Sequence, residues 1–285
     1  MEIKGLNTAP IKQGERLFVM TLKVKDSNNN DRILFMQIST LVDFLILLRN
    51  RMSQVMQRLQ ERGEDYKAIL MASAESLTKN IPEIVQEEVM QPDPGNLIMS
   101  MAPKLDDERF TLITVLNNQH IVTLEIDDSQ VEFIIMAIIK AIEVSNDKEA
   151  QQTIGAVLDF LMLYNVDLEN HENLRYREVK HEPWKESLFS NYMAVLYCYD
   201  TEEGKKVLAG AVIKTNTPAN TPETENIIQR VAMLTQTIKE IHEKYKTYQV
   251  FSRIIPSEPL KTLSKDHCLK ALHSFCLEMQ GHLTK

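Results

Sequence analysis

The stretch TLVDFLILL at residues 40–48 returns as SQVEFIIMA at 129–137: a hydroxyl residue, an acid three places on, then a phenylalanine and an aliphatic run, 89 positions apart. Whatever the first half folds into has to accommodate the same local pattern twice. Thr40 with Asp43, and Ser129 with Glu132, match the capping box, in which a hydroxyl and a carboxylate satisfy N–H groups that a helix start leaves unpaired; Asp43 is the shorter variant. The acid also complements the positive end of the helix. Upstream, LFVMTLKVK (17–25), the polar DSNNNDR and ILFMQI (33–38) read as a β-hairpin. RFTLITVL (109–116), NNQ and HIVTLEI (120–126) read as a second with a shorter turn. Asn and Asp suit such turns because they tolerate left-handed backbone. The first half is therefore expected to hold tandem ββα units, an internal repeat with Thr40 and Ser129 at equivalent helix starts. Coincidence is the competing explanation, since helices commonly follow hairpins.

Between the two units the pattern is helical. Leu45, Leu48, Met52, Val55 and Leu59 recur at 3- and 4-residue steps, one face of a helix. Gly63 ends or bends it, a second helical pattern over 64–90 is interrupted by Pro82, and QPDPGN (91–96) breaks the chain. In the second half YMAVLYCY (192–199) and VLAGAVIK (207–214) form a third hairpin around Gly204. A helix is expected from Thr221, with Pro222 at its first position, to about Lys246. A strand at 248–255 and a helix at 265–279 follow, and IGAVLDFLMLY (154–164) reads as a helix joining the halves. The expected class is α+β: antiparallel hairpins with helices packed on one face, plus a long helical insertion. The expected domains are 1–147, duplicated ββα with the insertion at 63–96, and 148–285, with hairpin, long helix, strand and C-terminal helix. Leu112, Thr114 and Leu116, or Val122 and Leu124, are candidate core faces; the inward parity stays open because several strands are apolar on both sides.

Chemistry-bearing motifs are scarce. With eight glycines there is no G-x-G-x-x-G and no G-x-x-x-x-G-K-[ST] to cradle phosphate, and neither G-x-S-x-G nor H-E-x-x-H occurs. KDHCLKALHSFC collects Asp266, His267, Cys268, His273 and Cys276, residue types that zinc accepts. His273 and Cys276 have ligand spacing on a helix, but Cys268 points elsewhere, and Leu269, Leu272, Cys276 and Met279 make a core stripe. No metal, cofactor or catalytic residue is expected. Three cysteines are no disulfide framework. The formal net charge of −8 repels nucleic acid and anionic lipid at long range. The most apolar later run, Phe133 to Ile139, is far short of the ~20 residues of a membrane span, and the opening residues have no signal-peptide run. The expected setting is the cytoplasm, without membrane contact.

Two segments are candidate partner surfaces. Arg49, Arg51, Arg58 and Arg62 lie opposite the apolar stripe and read as a solvated face. Met52, Val55, Met56 and Leu59 are candidates for a helix–helix interface with a second copy. Residues 64–79, with Ile69, Leu70 and Leu77, are the intramolecular competitor for that stripe. Fourteen methionines suit adaptable binding surfaces and core filling alike. In ENHENLRYREVKHEPWKE (169–186), Arg175, Arg177, Lys180 and Lys185 alternate with Tyr176 and Trp184, a mixture that can bind nucleic acid. Glu169, Glu172, Glu178, Glu182 and Glu186 offset that charge, and an exposed strand with its loop looks the same.

IKGLNTAPI together with LVDFLILLRNRM resembles the YjeJ-like family of small enterobacterial proteins of unassigned function. The resemblance covers the opening half. It implies a bacterial cytoplasmic protein and carries over no activity or site residue. The function expected is a non-catalytic protein-interaction or self-association module, with a protein partner or a second copy in a homodimer. Alternatives are a chaperone-like or adaptor protein, an enzyme with an unfamiliar site around His120 or His181, and nucleic-acid binding through 175–185.

Overall fold

The computed structural model describes residues 1–169, 175–258 and 261–283. The fold is α+β. The chain separates into two compact units, 1–158 and 159–285. The division falls past the 147/148 position read from sequence, because the helix after it packs with the first unit.

In the first unit β1 (Ile3–Gln13), β2 (Arg16–Asp26) and β3 (Asp31–Gln37) form an antiparallel meander that runs into α1 (Ile38–Lys79). After α2 (Gln86–Met90), β4 (Ile98–Leu105), β5 (Arg109–Leu116) and β6 (Ile121–Asp127) form a second meander, followed by α3 (Val131–Ser145) and α4 (Lys148–Ala156). Three strands, not two, precede each helix. β1 and β4 escape the hairpin pattern because they are edge strands bearing polar residues and proline (Pro10, Pro103), which a sheet tolerates at its edge.

The two meanders share a register. Met20 faces Met36 and Leu22 faces Leu34; ninety residues on, Phe110 faces Ile126 and Leu112 faces Leu124. The correspondence holds from Val19–Gln37 to Lys25–Asp31 and from Arg109–Asp127 to Val115–Ile121. The strands of the β1–β2 hairpin are longer, 11 residues each against 8 in β4 and β5, yet both edge strands bulge at matching places, between Ile3 and Gly5 and between Ile98 and Ser100. The open edges of the sheets meet at two parallel bridges, Phe35–Leu97 and Glu125–Glu2, which obey the same correspondence. Buried helix positions follow it too: Leu41, Phe44 and Leu48 match Val131, Ile134 and Ile138. The sequence alignment of Thr40 with Ser129 is thus one residue out of phase.

The caps differ from expectation for the same reason. β3 ends at Gln37, which caps α1 without a side-chain bond, so Thr40 already lies inside the helix. β6 ends at Asp127, and its carboxylate accepts from Ser129 N–H at 2.9 Å while Gln130 Oε1 accepts from Asp127 N–H at 3.1 Å. The capping box sits two residues earlier than Ser129, over the 3-10 turn Asp128–Gln130. The chain turns directly off the strand, and the first carboxylate at the turn takes the free N–H groups.

Both candidate core sets face inward. Phe110, Leu112, Thr114 and Leu116 are buried with Val122, Leu124 and Ile126, while Ile113 and Ile121 are exposed on the other face. The first sheet is covered on both faces. Met20, Leu22, Leu34 and Met36 are buried on the face where Thr8 Oγ1 donates to the Ala137 carbonyl of α3 at 2.8 Å. On the other face Asn7 Nδ2 donates to the Pro82 carbonyl at 2.8 Å and Lys23 Nζ to Glu88 at 2.7 Å. Gly63, at φ 59° and ψ −135°, divides α1 into two arms and returns the chain to this sheet. There the Asn80 carbonyl lies where a Cβ on Gly5 would stand. Tyr66 and Leu77 of the returning arm are buried, so the fold-back is intramolecular.

The second unit is an antiparallel sheet ordered β11 (Lys246–Ile255), β9 (Asn191–Thr201), β10 (Gly204–Thr215), β7 (Phe160–Asp167), β8 (Arg175–Glu178), with α5 (Pro183–Ser187) between β8 and β9. Helices cover both faces here. Met193, Val195, Tyr197 and Tyr199 pack under α6 (Pro222–Leu234) and α7 (Gln236–Lys244). Ala194, Leu196 and Cys198 pack under α8 (Lys265–Leu283). Thr221 caps α6, accepting from Thr224 N–H at 3.2 Å, with Pro222 at the first position. The expected single helix to Lys246 is broken at Thr235, whose backbone is extended. The helix read over 154–164 is instead the end of α4 and then β7. That strand, paired on both sides and covered on both faces, carries a continuous apolar run without the alternation that marks a half-exposed strand.

Candidate protein-interaction groove

The sequence of α3, VEFIIMAIIKAIEVS, is apolar nearly all round. One stripe, Val131, Ile134, Ile138, Ala141 and Ile142, meets the core. Ile135 and Ile139 are left over, and they form one wall of a groove of about 450 Å³. Leu45 and Met52 of α1 form the other wall, and Ile154 with Leu158 closes one end. The walls correspond at the ninety-residue offset of the strands: Leu45 with Ile135, Met52 with Ile142. Arg49 and Glu143 stand at the rims with Gln151. Ile139 is 39% exposed, and Met56, one helical turn beyond Met52, is 46% exposed. Such a surface can take up apolar side chains from another surface.

Of the candidate contacts on α1, Met52 lines the groove, Met56 lies exposed beside it and Leu59 is half-buried. Val55 is 1% exposed and belongs to the core, so it is corrected from contact to packing residue. It shares a helix face with Leu41, Leu48 and Arg51. Arg51 and Arg58 are no solvated face either, whereas Arg62 is exposed. Arg51 and Arg58 bind Asp128, and Arg62 binds Glu108 at 2.7 Å. Sequence reasoning missed Ile135, Ile139 and Ile142. The signal was the surplus of aliphatic residues in α3, more than one buried face can use.

In the second unit Arg175 and Arg177 are exposed on β8, opposite Asp167 and Asn165. Trp184 is half-buried in α5 with the Lys185 amine 5.7 Å from its ring centroid. Glu172 of the same segment lies outside the described residues. His120 is exposed in the β5–β6 turn, and His181 Nε2 donates to the Met162 carbonyl at 2.7 Å. Cys198, Cys268 and Cys276 are buried thiols outside any disulfide, and burial pushes the pKa of each up to about 11. Among the described residues no group of three or more His, Cys, Asp or Glu is placed to hold a metal ion, and no helix is long and apolar enough to cross a membrane.

The profile of the family described as YjeJ-like matches residues 1–282. The chain is 31% identical over 276 residues to a protein of Escherichia coli (strain K12) named "Uncharacterized protein YjeJ", covering 96% of this chain and 94% of that one. The similarity runs through the second unit as well as the opening half. No solved structure matches.

Proposed function

We propose, from the premise that the chain belongs to the YjeJ-like family, that it acts as a non-catalytic self-association module whose contact face is the α1–α3–α4 groove. The supporting observation is the groove itself: an apolar floor open to solvent, with Arg49 on one rim and Glu143 on the other. A two-fold contact is self-complementary. Laying the groove of one copy against that of a second buries the apolar side chains of both floors. The matched strand registers support a further reading, that the first unit arose by duplication of a βββα element. Three thiols outside any disulfide fit a cytoplasmic setting, because disulfides persist in oxidising compartments.

Light scattering at tens of micromolar tests the association. The wild type is expected to be a dimer and Ile139→Asp a folded monomer. A wild type that scatters as a monomer overturns the proposal.

A further inference from the structure

The second unit buries one lysine where its geometry needs none. Lys214 on β10 is 6% exposed and faces Tyr192 across the β9–β10 ladder. Its Nζ donates to the Glu186 carbonyl at 2.6 Å and lies 4.6 Å from the centroid of the Tyr192 ring. Glu186 is the last but one residue of the short α5, and a surface lysine would serve that carbonyl as well. Instead the amine is drawn into a cavity of about 420 Å³, lined by Tyr192, Glu186, Asn216, Glu258, Lys261 and Thr262 among others. That volume lies in the range of small-molecule sites, roughly 300–1,000 Å³. Exposed Ser187, Ser190, Lys261 and Thr262 mark its mouth.

We propose that this cavity is a reactive-amine site, in which Lys214 forms an imine with a small aldehyde or ketone. A neutral amine keeps two N–H groups and a lone pair. The Glu186 carbonyl accepts one N–H and so orients the nitrogen. The lone pair then attacks the carbonyl carbon of the ligand: the C–N bond forms as the C–O π pair moves onto oxygen. Nitrogen gives up its protons, oxygen takes them, and water leaves. One amine and one carbonyl compound give one imine and one water, with no oxidant or reductant. Burial holds Lys214 below the ordinary lysine range, against the opposing pull of the nearby Glu186 carboxylate and Cys268 thiol. Desolvated lysines are the ones that serve as nucleophiles at neutral pH. The Tyr192 phenol, whose oxygen accepts from Leu263 N–H at 3.1 Å, closes one side.

The test is labelling of the full chain by limiting propanal with cyanoborohydride at neutral pH, followed by peptide mass mapping. The propyl group is expected on Lys214 several-fold faster than on exposed Lys104 or Lys140, with the advantage shrinking at alkaline pH. The α-amino group of Met1, itself a primary amine, is scored separately. Lys214→Met should lose the fast label and leave the others unchanged. Because the wild-type rates decide by themselves, a variant that fails to fold costs nothing. Labelling of Lys104 and Lys140 ahead of Lys214 overturns the proposal and leaves Lys214 a structural donor to Glu186.

Discussion

Arg51 grips Asp128 with two parallel hydrogen bonds, Nε to Oδ1 and Nη2 to Oδ2, each 2.7 Å, with the two side chains 3% and 0% exposed. Arg58 donates to the same carboxylate, and Arg51 Nη2 also donates to the carbonyls of Asp106 and Asp107 at 2.9 and 3.0 Å. The pair joins α1 to the turn ahead of α3, so it ties the two meander-plus-helix elements together. Removing one partner strands a buried charge, which typically costs about 3–5 kcal/mol. Asp128→Ala is expected to lower the free energy of unfolding, measured by denaturant titration, by that order. With Arg51→Ala added, the double variant should lose much less than the sum of the singles.

Two glycines should respond to alanine for different reasons. At Gly63 a Cβ meets nothing within 4 Å, but φ is +59°. Gly63→Ala should cost about 1–3 kcal/mol through backbone strain alone. At Gly5 a Cβ would stand 1.9 Å from the Asn80 carbonyl oxygen. Gly5→Ala must push the returning arm off the first sheet, and proteolysis near residue 80 is expected to accelerate with the loss of stability.

The position of the second cap can be read by two single substitutions. Asp127→Ala removes the acceptor for Ser129 N–H and should cost about 0.5–2 kcal/mol. Ser129→Ala leaves that bond in place and should stay within about 0.5 kcal/mol of wild type. Equal losses would return the cap to Ser129.

Asp147 makes stability acid-sensitive. Its carboxylate accepts from Ala150 N–H at the start of α4 and from Leu17 N–H, which holds it below the ordinary aspartate range. A folded carboxyl with a depressed pKa contributes stability that is fully present above the unfolded value, about 3.9. That contribution falls as pH drops through this value and is gone below the folded one. Asp147→Asn should therefore flatten the acid limb of the midpoint-against-pH curve while changing its slope little near neutrality.

The three thiols should be inert in the folded protein. Burial pushes Cys198, Cys268 and Cys276 up to about 11, and the thiolate is the reactive form. An aromatic disulfide reagent at mildly alkaline pH is expected to release colour slowly from the native chain and at once in denaturant.

What a local pattern can report, the sequence reported. The α+β class, the hairpins around 26–31 and 116–121, the break at Gly63 and the start of α6 at Thr221 and Pro222 follow from periodicity and turn chemistry over a few residues. Destinations are another matter. Pro10 and Pro103 argue against strands until a sheet leaves β1 and β4 at its edges. The apolar run at 160–164 reads as the end of a helix until neighbours pair with it on both sides. Arg51 and Val55 look like one solvated and one partner-facing residue until Asp128 and the second meander arrive on that side of α1. Met52 was legible as a surface methionine, but the wall that makes it part of a groove, Ile135 and Ile139, comes from a helix about ninety residues away. Hydrogen-bond register, burial and charge pairing are settled between segments distant in the chain, and packing chooses among local options of nearly equal free energy.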